Sequence, residues 1–372
     1  MSSIIGDRLK LTLFGESHGP AVGIVIDGLP SGIPLDLDYM KFEMERRRPG
    51  RGCLSSSRDE DDEFKIISGY FEGKTTGAPL CGLIPNKDQQ PEDYIKIKDI
   101  MRPGHADYTA FAKYEGYNDY RGGGLFSGRL TAPLVFAGGI AKQILEKLDI
   151  YIGSHIKSIK DISVKGFDKI NVSKYDILEL RAKDFPVIDE TIEEKMRKCI
   201  MKAKIEKDSV GGIIETAVVN LDTGYGKPFF NCIESNLSKI LFSIPSVKGV
   251  EFGDGFNMTT MRGSEANDEY MIIDEEIRTS TNHCGGVLGG LTTGMPLIFS
   301  VAIKPTSSIS SRQKTVDVNK LKEVEISIKG RHDPCIVPRA VPVVEAVTAT
   351  TILDFIIDRE SEKGISKKLR NR

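Results

Sequence analysis

Three short apolar runs along the chain have the composition of β-strands. Residues 22–27, 212–221 and 297–303 are rich in valine and isoleucine, and glycine or proline lies close to both ends of each run. β-Branched side chains suit a pleated, half-buried surface. The pattern therefore predicts a strand at each of the three positions.

Other segments repeat apolar residues at the spacing of an α-helix. In residues 191–207 the side chains of Ile192, Met196, Ile200 and Ala203 fall on one face, which predicts an amphipathic helix. Helices are also predicted over residues 36–48, 131–148 and 342–358, and the last of these is apolar enough to be largely buried.

The ends of two of these helices have recognisable signals. Asp36 is predicted to cap the helix that ends before Pro49, and Leu37, Met40 and Met44 line one of its faces. Thr131 is predicted to cap the next helix, with Pro133 in its first turn. The loose alternation of strands and helices indicates an α/β or α+β layered fold.

A short internal similarity links two distant glycine-rich segments. Residues 69–80 and 286–297 share seven of twelve positions, including the sequence TTGxPL, and each leads into an apolar run. One hypothesis is that the two copies are equivalent elements of a core with pseudo-twofold symmetry. The alternative is that TTGxPL is simply a favourable turn before a strand, since a short similarity is weak support for a repeat.

Composition excludes several classes of protein. The chain has 372 residues, a formal net charge of −2, 40% hydrophobic residues and no tryptophan, which is ordinary for a globular protein. Balanced charge argues against a general nucleic-acid or membrane-surface binder. The six cysteines form no CxxC pair, the N-terminus has no signal-peptide core, and no 18-residue apolar run is present. We therefore expect free thiols in a reducing cytoplasm.

Two histidines lie in loops of small residues. His18 lies in FGESHGP at residues 14–20, and His105 lies in RPGHAD at residues 102–107, three residues after Arg102. Small neighbours let a ligand approach an imidazole closely, and a histidine can exchange a proton near neutral pH. The alternative for each is a capping or core histidine.

Arginines cluster at the end of the first predicted helix. The sequence RRRPGR occupies residues 46–51, and Arg58 follows. Guanidinium groups bind phosphate and carboxylate through paired hydrogen bonds, so a small ligand with several negative charges is indicated. The alternative is a favourable interaction with the helix dipole. The acidic run 59–63 is expected to be a solvated turn that offsets these arginines, and a Mg²⁺ site is a weaker alternative.

Three further segments could bind anions or move protons. Residues 121–129, RGGGLFSGR, form a glycine loop that opens a helix and so exposes backbone N–H groups. Residues 304–308, KPTSS, offer a lysine and three hydroxyl groups for a phosphate, with a simple polar loop as the alternative. Residues 330–334, GRHDP, place a cation, an imidazole and a carboxylate together, which makes Asp333 the best candidate for a general base. Its alternative is an Asx-type turn.

Metal and nucleotide motifs are absent from the sequence. The five histidines form no HxH or HExxH pattern, so no metal site is expected, and there is no Walker A sequence. His155 lies outside every glycine- or arginine-rich loop and is left without a role.

Taken together, these segments resemble the chorismate synthase family. The motifs are GESHG at 15–19, RRRPG at 46–50, RPGHADYT at 102–109, RGGG at 121–124, KPTSS at 304–308 and GRHDPC at 330–335, followed by RAVPVVEA at 339–346. They occur in family order across residues 14–358. The resemblance implies an α+β fold, a single β-α-β sandwich. It implies one catalytic domain over residues 1–358, followed by a basic tail at 359–372 that we expect to fray. It also implies a cytoplasmic homotetramer.

The family activity implied by the resemblance is that of a lyase in the shikimate pathway. It forms chorismate from 5-enolpyruvylshikimate 3-phosphate by 1,4-anti elimination of phosphate and a ring proton, in aromatic amino-acid biosynthesis. It requires reduced FMN, although there is no net redox change. NADPH is expected only if the enzyme reduces its own flavin. The expected partners are this small substrate and further copies of the chain, with no nucleic acid and no membrane.

Residue roles follow from the same resemblance. His18 matches the histidine that protonates the departing phosphate, and His105 matches the one that protonates or hydrogen-bonds the reduced flavin. Asp333 matches the carboxylate that assists removal of the ring proton near the flavin N5. The positions that match substrate-binding arginines are Arg48, Arg58, Arg102, Arg129 and Arg331. The positions that match cofactor contacts are Arg47 (NADPH in part of the family), Leu125, Phe126, Ser127, Ser246, Gly289, Lys304, Pro305, Thr306, Ser307, Ser308 and Arg331.

The sequence departs from the usual family pattern at two flavin-contacting places. Leu125 and Phe126 replace a polar pair, so contact there is expected to be apolar or through the backbone. Pro245 and Ser246 replace Asn-Ala. Two other functions remain open from the residues alone. An FMN- and NADPH-dependent reductase would oxidise nicotinamide without the phosphorylated substrate. A non-catalytic anion-binding module would tolerate loss of His18 and Asp333.

Overall fold

The computed structural model describes residues 3–48, 61–88, 92–95, 97–328 and 332–370. The strands are β1 (Ile4–Ile5), β2 (Lys10–Gly15), β3 (Ala21–Asp27), β4 (Lys65–Ser68), β5 (Tyr70–Phe71), β6 (Lys74–Thr75), β7 (Leu80–Pro85), β8 (Tyr151–Ile159), β9 (Ile162–Ser163), β10 (Gly212–Val219), β11 (Val247–Phe252), β12 (Tyr270–Ile273), β13 (Glu276–Thr279), β14 (Val287–Leu288), β15 (Leu291–Thr292), β16 (Leu297–Ile303), β17 (Gln313–Asp317) and β18 (Lys322–Ile326). The helices are α1 (Leu37–Arg47), α2 (Glu92–Ile95), α3 (Asp107–Lys113), α4 (Thr131–Lys147), α5 (Lys174–Ala182), α6 (Glu190–Ile205), α7 (Ile233–Leu241), α8 (Gly263–Ala266) and α9 (Val337–Arg370).

Two antiparallel five-stranded sheets form the outer layers of the fold. One has the strand order β1-β2-β3-β7-β4, and the other has the order β11-β16-β10-β8-β9. The three apolar runs of the sequence form β3, β10 and β16, which are inner strands with neighbours on both sides. Inner strands are buried most completely, which explains why these three runs are almost continuously hydrophobic.

A layer of helices lies between the sheets. Helix α4 packs against α9 and also contacts β3, β7 and β8, while α9 contacts β8 and β10. Phe136 of α4 and Phe299 of β16 are among the largest fully buried side chains. One apolar core therefore joins both sheets to the central helices, and the chain has an α+β fold with a β-α-β layer order.

The two halves of the chain repeat the same order of elements. The first half runs β2, β3, α1, β4, a short β5–β6 hairpin and β7. The second runs β8, β10, α7, β11, a short β14–β15 hairpin and β16. Each final strand pairs with the equivalent two strands of its own half. The TTGxPL segments occupy the same place in both, which supports the pseudo-twofold hypothesis over an isolated turn.

One of the two predicted helix caps is confirmed and the other is wrong. Asp36 caps α1 as predicted, because its side chain accepts hydrogen bonds from the backbone N–H groups of Asp38 and Tyr39. Thr131 was wrongly predicted as an N-cap and is the first residue of α4. A 3₁₀ turn at Gly128–Leu130 precedes it, and Ser127 caps that turn.

The last helix is longer than the sequence predicted. Helix α9 begins at Val337, contains Pro342 and continues to Arg370, whereas the sequence predicted a helix over residues 342–358. The expectation that the tail frays stays a prediction. No proline interrupts residues 359–370, and most of these residues favour helix. Over Val337–Gly364 the helix has the length and hydropathy of a membrane span, but 78% of its most apolar 18-residue window is buried inside the protein, as in a core helix.

Candidate active site

A cleft of about 620 Å³ opens where the glycine loop before α4, the start of α9 and the end of β16 meet. Its walls come from segments that lie far apart in sequence: residues 102–106, 122–131, 242–248, 304–308 and 332–343, with Arg47 and Tyr94. Six of the seven motifs found in the sequence thus contribute to one cavity, all except GESHG at residues 15–19.

Gly122 brings His18 to the wall of the cleft. His18 follows β2 and is buried, with its ring edge-to-face on Tyr94 at a centroid distance of 5.2 Å. Gly122 has a φ of +59°, and a Cβ added there would lie 2.3 Å from Cε1 of His18. Only glycine allows both the backbone conformation and this contact. His18 therefore lies directly behind a residue that lines the cleft.

Gly123, the next residue, brings the second histidine to the same loop. An added Cβ at Gly123 would lie 3.0 Å from Cε1 and 3.2 Å from Nε2 of His105. Ser17 also donates its backbone N–H to the carbonyl of Gly124 at 3.2 Å, which fastens the His18 turn to this loop. The triple glycine is thus the surface on which the two imidazoles converge.

The orientation of His105 is fixed by Asp107. Nδ1 of His105 lies 2.6 Å from Oδ1 of Asp107, which leaves Nε2 on the side of Gly123. Arg102 donates to both carboxylate oxygens of Asp107, at 2.7 and 2.8 Å. Burial opposes ionisation of Asp107, but the hydrogen bonds from His105 and Arg102 outweigh it and hold the pKa of this carboxyl below its ordinary value. A charged carboxylate thus orients a histidine that lines the cleft.

The KPTSS segment is bound to the His105 loop. Lys304 donates to the carbonyl of Gly104 at 2.6 Å and to Oγ of Ser307 at 2.8 Å, and Ser307 donates to the same carbonyl at 2.7 Å. Burial, followed by the nearby charge of Lys248, lowers the pKa of Lys304. The lysine therefore anchors this loop as well as lining the cleft.

The segment before α9 supplies a carboxylate. Asp333 lies four residues before the helix, is buried in the cleft wall and forms an ion pair with Arg339 in the first turn of α9. Arg339 also donates from Nε to the carbonyl of Arg47 at 3.1 Å. Asp333 is thus held in a fixed direction beside the end of α1, as a general base requires.

The arginine run at the end of α1 divides between the core and the cleft. Arg46 points into the core and donates to Glu43 at 3.0 Å and to Glu345 of α9. Lys142 of α4 also bonds to both of these carboxylates, so a buried ion network joins the three helices. Among the described arginines of the run, Arg46 to Arg48, Arg47 lines the cleft. The prediction of an anion site at RRRPGR therefore does not apply to Arg46.

Most of the predicted site residues meet at the cleft. Those that line it are Arg47, Arg102, His105, Leu125, Phe126, Ser127, Arg129, Ser246, Lys304, Thr306, Ser307, Ser308 and Asp333. Within the described part of the chain, His18, Arg48, Pro305 and Gly289 are not among the lining residues. His18 lies behind Gly122, and Gly289 lies in the turn of the β14–β15 hairpin. Arg58 and Arg331 lie outside the described residues, as does Arg51. The roles suggested for these residues stay predictions.

Several residues at the site carried no separate signal in the sequence. Asp107 was part of the RPGHAD motif, but its bonds to His105 and Arg102 depend on the fold. Tyr94, Lys248, His332 and Arg339 also line the cleft. His332 and Arg339 lie in recognised motifs and could have been listed from them, and Lys248 lies two residues after the predicted contact Ser246. Nothing near Tyr94 points to a site.

The chemistry of the cleft fits a flavin. Leu125 and Phe126, which replace the polar pair of the usual family pattern, are partly exposed in the cleft and can contact an apolar ring. Ile244 and Val343 add apolar surface. Oγ1 of Thr306 is buried without a hydrogen-bond partner among the residues the structure describes, so it can bind a polar group of a ligand. No group of three or more metal-ligating side chains occurs within the described residues.

Comparisons with known proteins agree over almost the entire chain. A family model described as chorismate synthase matches residues 9–357. A chorismate synthase of Pyrococcus abyssi is 50% identical over 355 residues, which cover 95% of this chain and 97% of the relative. One of Korarchaeum cryptofilum is 47% identical with the same coverage. A crystal structure of a chorismate synthase superposes with a TM-score of 0.75 at 25% identity, covering 95% of this chain and 93% of the other.

Proposed function

Because the chain belongs to the chorismate synthase family, we propose that it converts 5-enolpyruvylshikimate 3-phosphate to chorismate by 1,4-anti elimination of phosphate and a ring proton. The enzyme would be a carbon–oxygen lyase that requires reduced FMN and acts at the last common step of aromatic amino-acid biosynthesis. The observation that carries the proposal is the convergence of His18 and His105 on adjacent glycines of an arginine-lined cleft.

The substrate proposed here needs cations and proton donors. It carries a phosphate and two carboxylates, and Arg102, Arg129 and Lys304 line the cleft, where they can attract these groups. His18 lies beside the glycine loop and would donate a proton to the departing phosphate. Asp333 is fixed by Arg339 on another wall and would help to remove the ring proton. The protein thus divides the two proton transfers between groups on separate elements.

Residues for the cofactor are present on two sides of the same cavity. Leu125 and Phe126 offer apolar contact for a ring system, and the hydroxyl groups of Thr306, Ser307 and Ser308 offer hydrogen bonds to polar groups. Reduced FMN, when bound, supplies an electron-rich ring that assists phosphate loss without net oxidation of the substrate. His105, oriented by Asp107, would contact the reduced flavin.

We also propose a homotetramer in the cytoplasm. Phe229 and Phe230 are 86% and 93% exposed, and Ile272 and Ile277 on the β12–β13 hairpin are 79% and 71% exposed. Large apolar side chains this exposed are typical of a subunit interface. The cysteines that the structure describes are free thiols, as in a reducing compartment. Light scattering of the purified protein tests the tetramer, and a monomer at micromolar concentration would contradict it.

The proposed activity is tested by an anaerobic reaction. The protein is mixed with 5-enolpyruvylshikimate 3-phosphate and chemically reduced FMN, and chorismate and phosphate are followed together. Equimolar products with reduced FMN, and none with oxidised FMN, are expected. A parallel reaction with NADPH and oxidised FMN, without the phosphorylated substrate, tests whether the enzyme reduces its own flavin. Absence of chorismate from a protein that binds FMN would reject the proposed activity.

A further inference from the structure

The acidic run at residues 59–63 is only partly the solvated turn that its composition predicts. Asp61 is exposed and pairs with Lys87 at 2.9 Å, as expected of a solvated turn. Asp62 is only 3% exposed, and its carboxylate is fully buried. A buried carboxylate is costly unless charged partners surround it, so the environment of Asp62 has to explain its position.

The partners of Asp62 are two arginines of the cleft. Its Oδ2 accepts a hydrogen bond from Nη1 of Arg47 at 2.5 Å, and its Oδ1 accepts one from Nη1 of Arg129. Both arginines are nearly buried and line the cleft. Burial raises the pKa of Asp62, but the two guanidinium groups outweigh this effect and keep that pKa below its ordinary value. The carboxylate is therefore a charged bridge between the two arginines.

Other contacts hold each arginine in place around this bridge. Arg47 donates from Nε to the hydroxyl of Thr131 at 2.9 Å and from Nη2 to the carbonyl of Gly128 at 3.3 Å. Arg129 donates from Nε to Asn86 at 2.9 Å and from Nη2 to the carbonyl of Pro85 at 3.0 Å. Asp62 is the group that these two arginines share, because each of its carboxylate oxygens accepts a hydrogen bond from one of them.

The charges decide what this arrangement can do. The bridge places two guanidinium groups side by side at the cleft wall, in a partly dehydrated setting where an anion is attracted strongly. Without the carboxylate the arginines would repel each other and leave their fixed directions. We propose that Asp62 is a positioning residue that holds Arg47 and Arg129 side by side as a paired receptor for an anionic group of the substrate. This inference rests on the proposed function for the identity of that substrate.

The test compares Asp62→Asn with the matched variant Asp61→Asn, which removes the same charge from the neighbouring exposed residue. Binding of inorganic phosphate and of 5-enolpyruvylshikimate 3-phosphate is measured by calorimetry on protein loaded with oxidised FMN, so that no turnover occurs. The sign of the effect is informative. Removing a negative charge alone would tighten anion binding, whereas misplacing the two arginines would weaken it.

We expect Asp62→Asn to bind both anions about 10- to 100-fold more weakly, while Asp61→Asn binds them like the wild type. Unchanged or tighter binding by folded Asp62→Asn would overturn the proposal, because Asp62 would then act only as a charge or in stability. If Asp62→Asn does not fold, Asp62→Glu keeps the charge and shifts the carboxylate by one methylene. It should also weaken binding, and wild-type affinity in that variant would overturn the proposal.

The proposed function and this inference can fail separately. Wild-type protein that forms no chorismate in the anaerobic reaction would reject the function. The phosphate affinities of the three proteins would still decide whether Asp62 organises an anion receptor. Steady-state kinetics provide a further check, because a displaced receptor should raise KM for the phosphorylated substrate more than it lowers kcat.

Discussion

Replacement of Gly122 by alanine is the sharpest test of how the glycine loop works. An added Cβ would lie 2.3 Å from Cε1 and 2.4 Å from Nδ1 of His18. Carbon atoms that are not bonded to each other prefer about 3.5–4.0 Å, so the imidazole must move by roughly 1 Å or more. A displacement of about 1 Å can cost about 100-fold in rate. We therefore expect Gly122→Ala to lower kcat for chorismate formation by about 100-fold.

Backbone strain must be separated from this displacement. Gly122 has a φ of +59°, so alanine there also incurs a conformational cost of about 1–2 kcal/mol. Gly73, in the β5–β6 turn, is the matched control, because its φ is +80° and an added Cβ would meet nothing within 4 Å. Gly73→Ala should lose a similar amount of stability and keep wild-type kcat.

The assay combines anaerobic turnover with thermal unfolding of both variants. The expected pattern is similar melting temperatures and a large difference in kcat. If Gly122→Ala turns over as fast as Gly73→Ala, then the position of His18 does not depend on contact with Gly122, and the role given to the loop is wrong.

Three further variants test individual side chains. His18→Ala should lower kcat by about 10²–10⁴, the usual contribution of a general acid, and wild-type turnover would remove His18 from the mechanism. Asp107→Asn should lower kcat by about 10²-fold because His105 loses its orienting carboxylate, and Asp107→Glu should recover part of the lost kcat. Equal kcat values in the wild type and both variants would contradict the orienting role of Asp107. Burial raises the pKa of Glu215, but His155 and Lys157 outweigh this effect and lower the pKa to about 2. The ionised carboxylate therefore stabilises the folded state fully at pH values above 4.5, the pKa of Glu215 in the unfolded chain. Up to about 3 kcal/mol should be lost as the pH falls from about 5 toward 2, and urea unfolding of Glu215→Gln should lack this part of the pH dependence.

Local patterns predicted most of the elements that build the layers. The strands at 22–27 and 297–303 and the helix begun by Asp36 were predicted because periodicity and capping depend on nearby residues. The motifs identified the glycine loops and both histidines. Thr131 was misassigned because Ser127 caps a preceding 3₁₀ turn, a difference of one turn that sequence patterns rarely resolve.

Contacts between distant segments could not be predicted in this way. Nothing near Gly122 in the sequence shows that it packs on His18, which lies 104 positions earlier. Asp62 belongs to an acidic run that looks solvated, and its burial depends on Arg47 and Arg129, which come from different elements. His155 had no signal and forms a buried pair with Glu215 across two strands. These residues acquire their roles only when segments that are distant in sequence come together in the fold.

The central claim is that one cleft holds the phosphorylated substrate and the flavin beside His18 and His105. A crystal structure of the protein with oxidised FMN and 5-enolpyruvylshikimate 3-phosphate tests it most directly. We predict both molecules in the cleft between the glycine loop and residues 304–308, with the phosphate within hydrogen-bond reach of His18 and of an arginine. Binding of either molecule outside this cleft, or a phosphate remote from His18, would contradict the account.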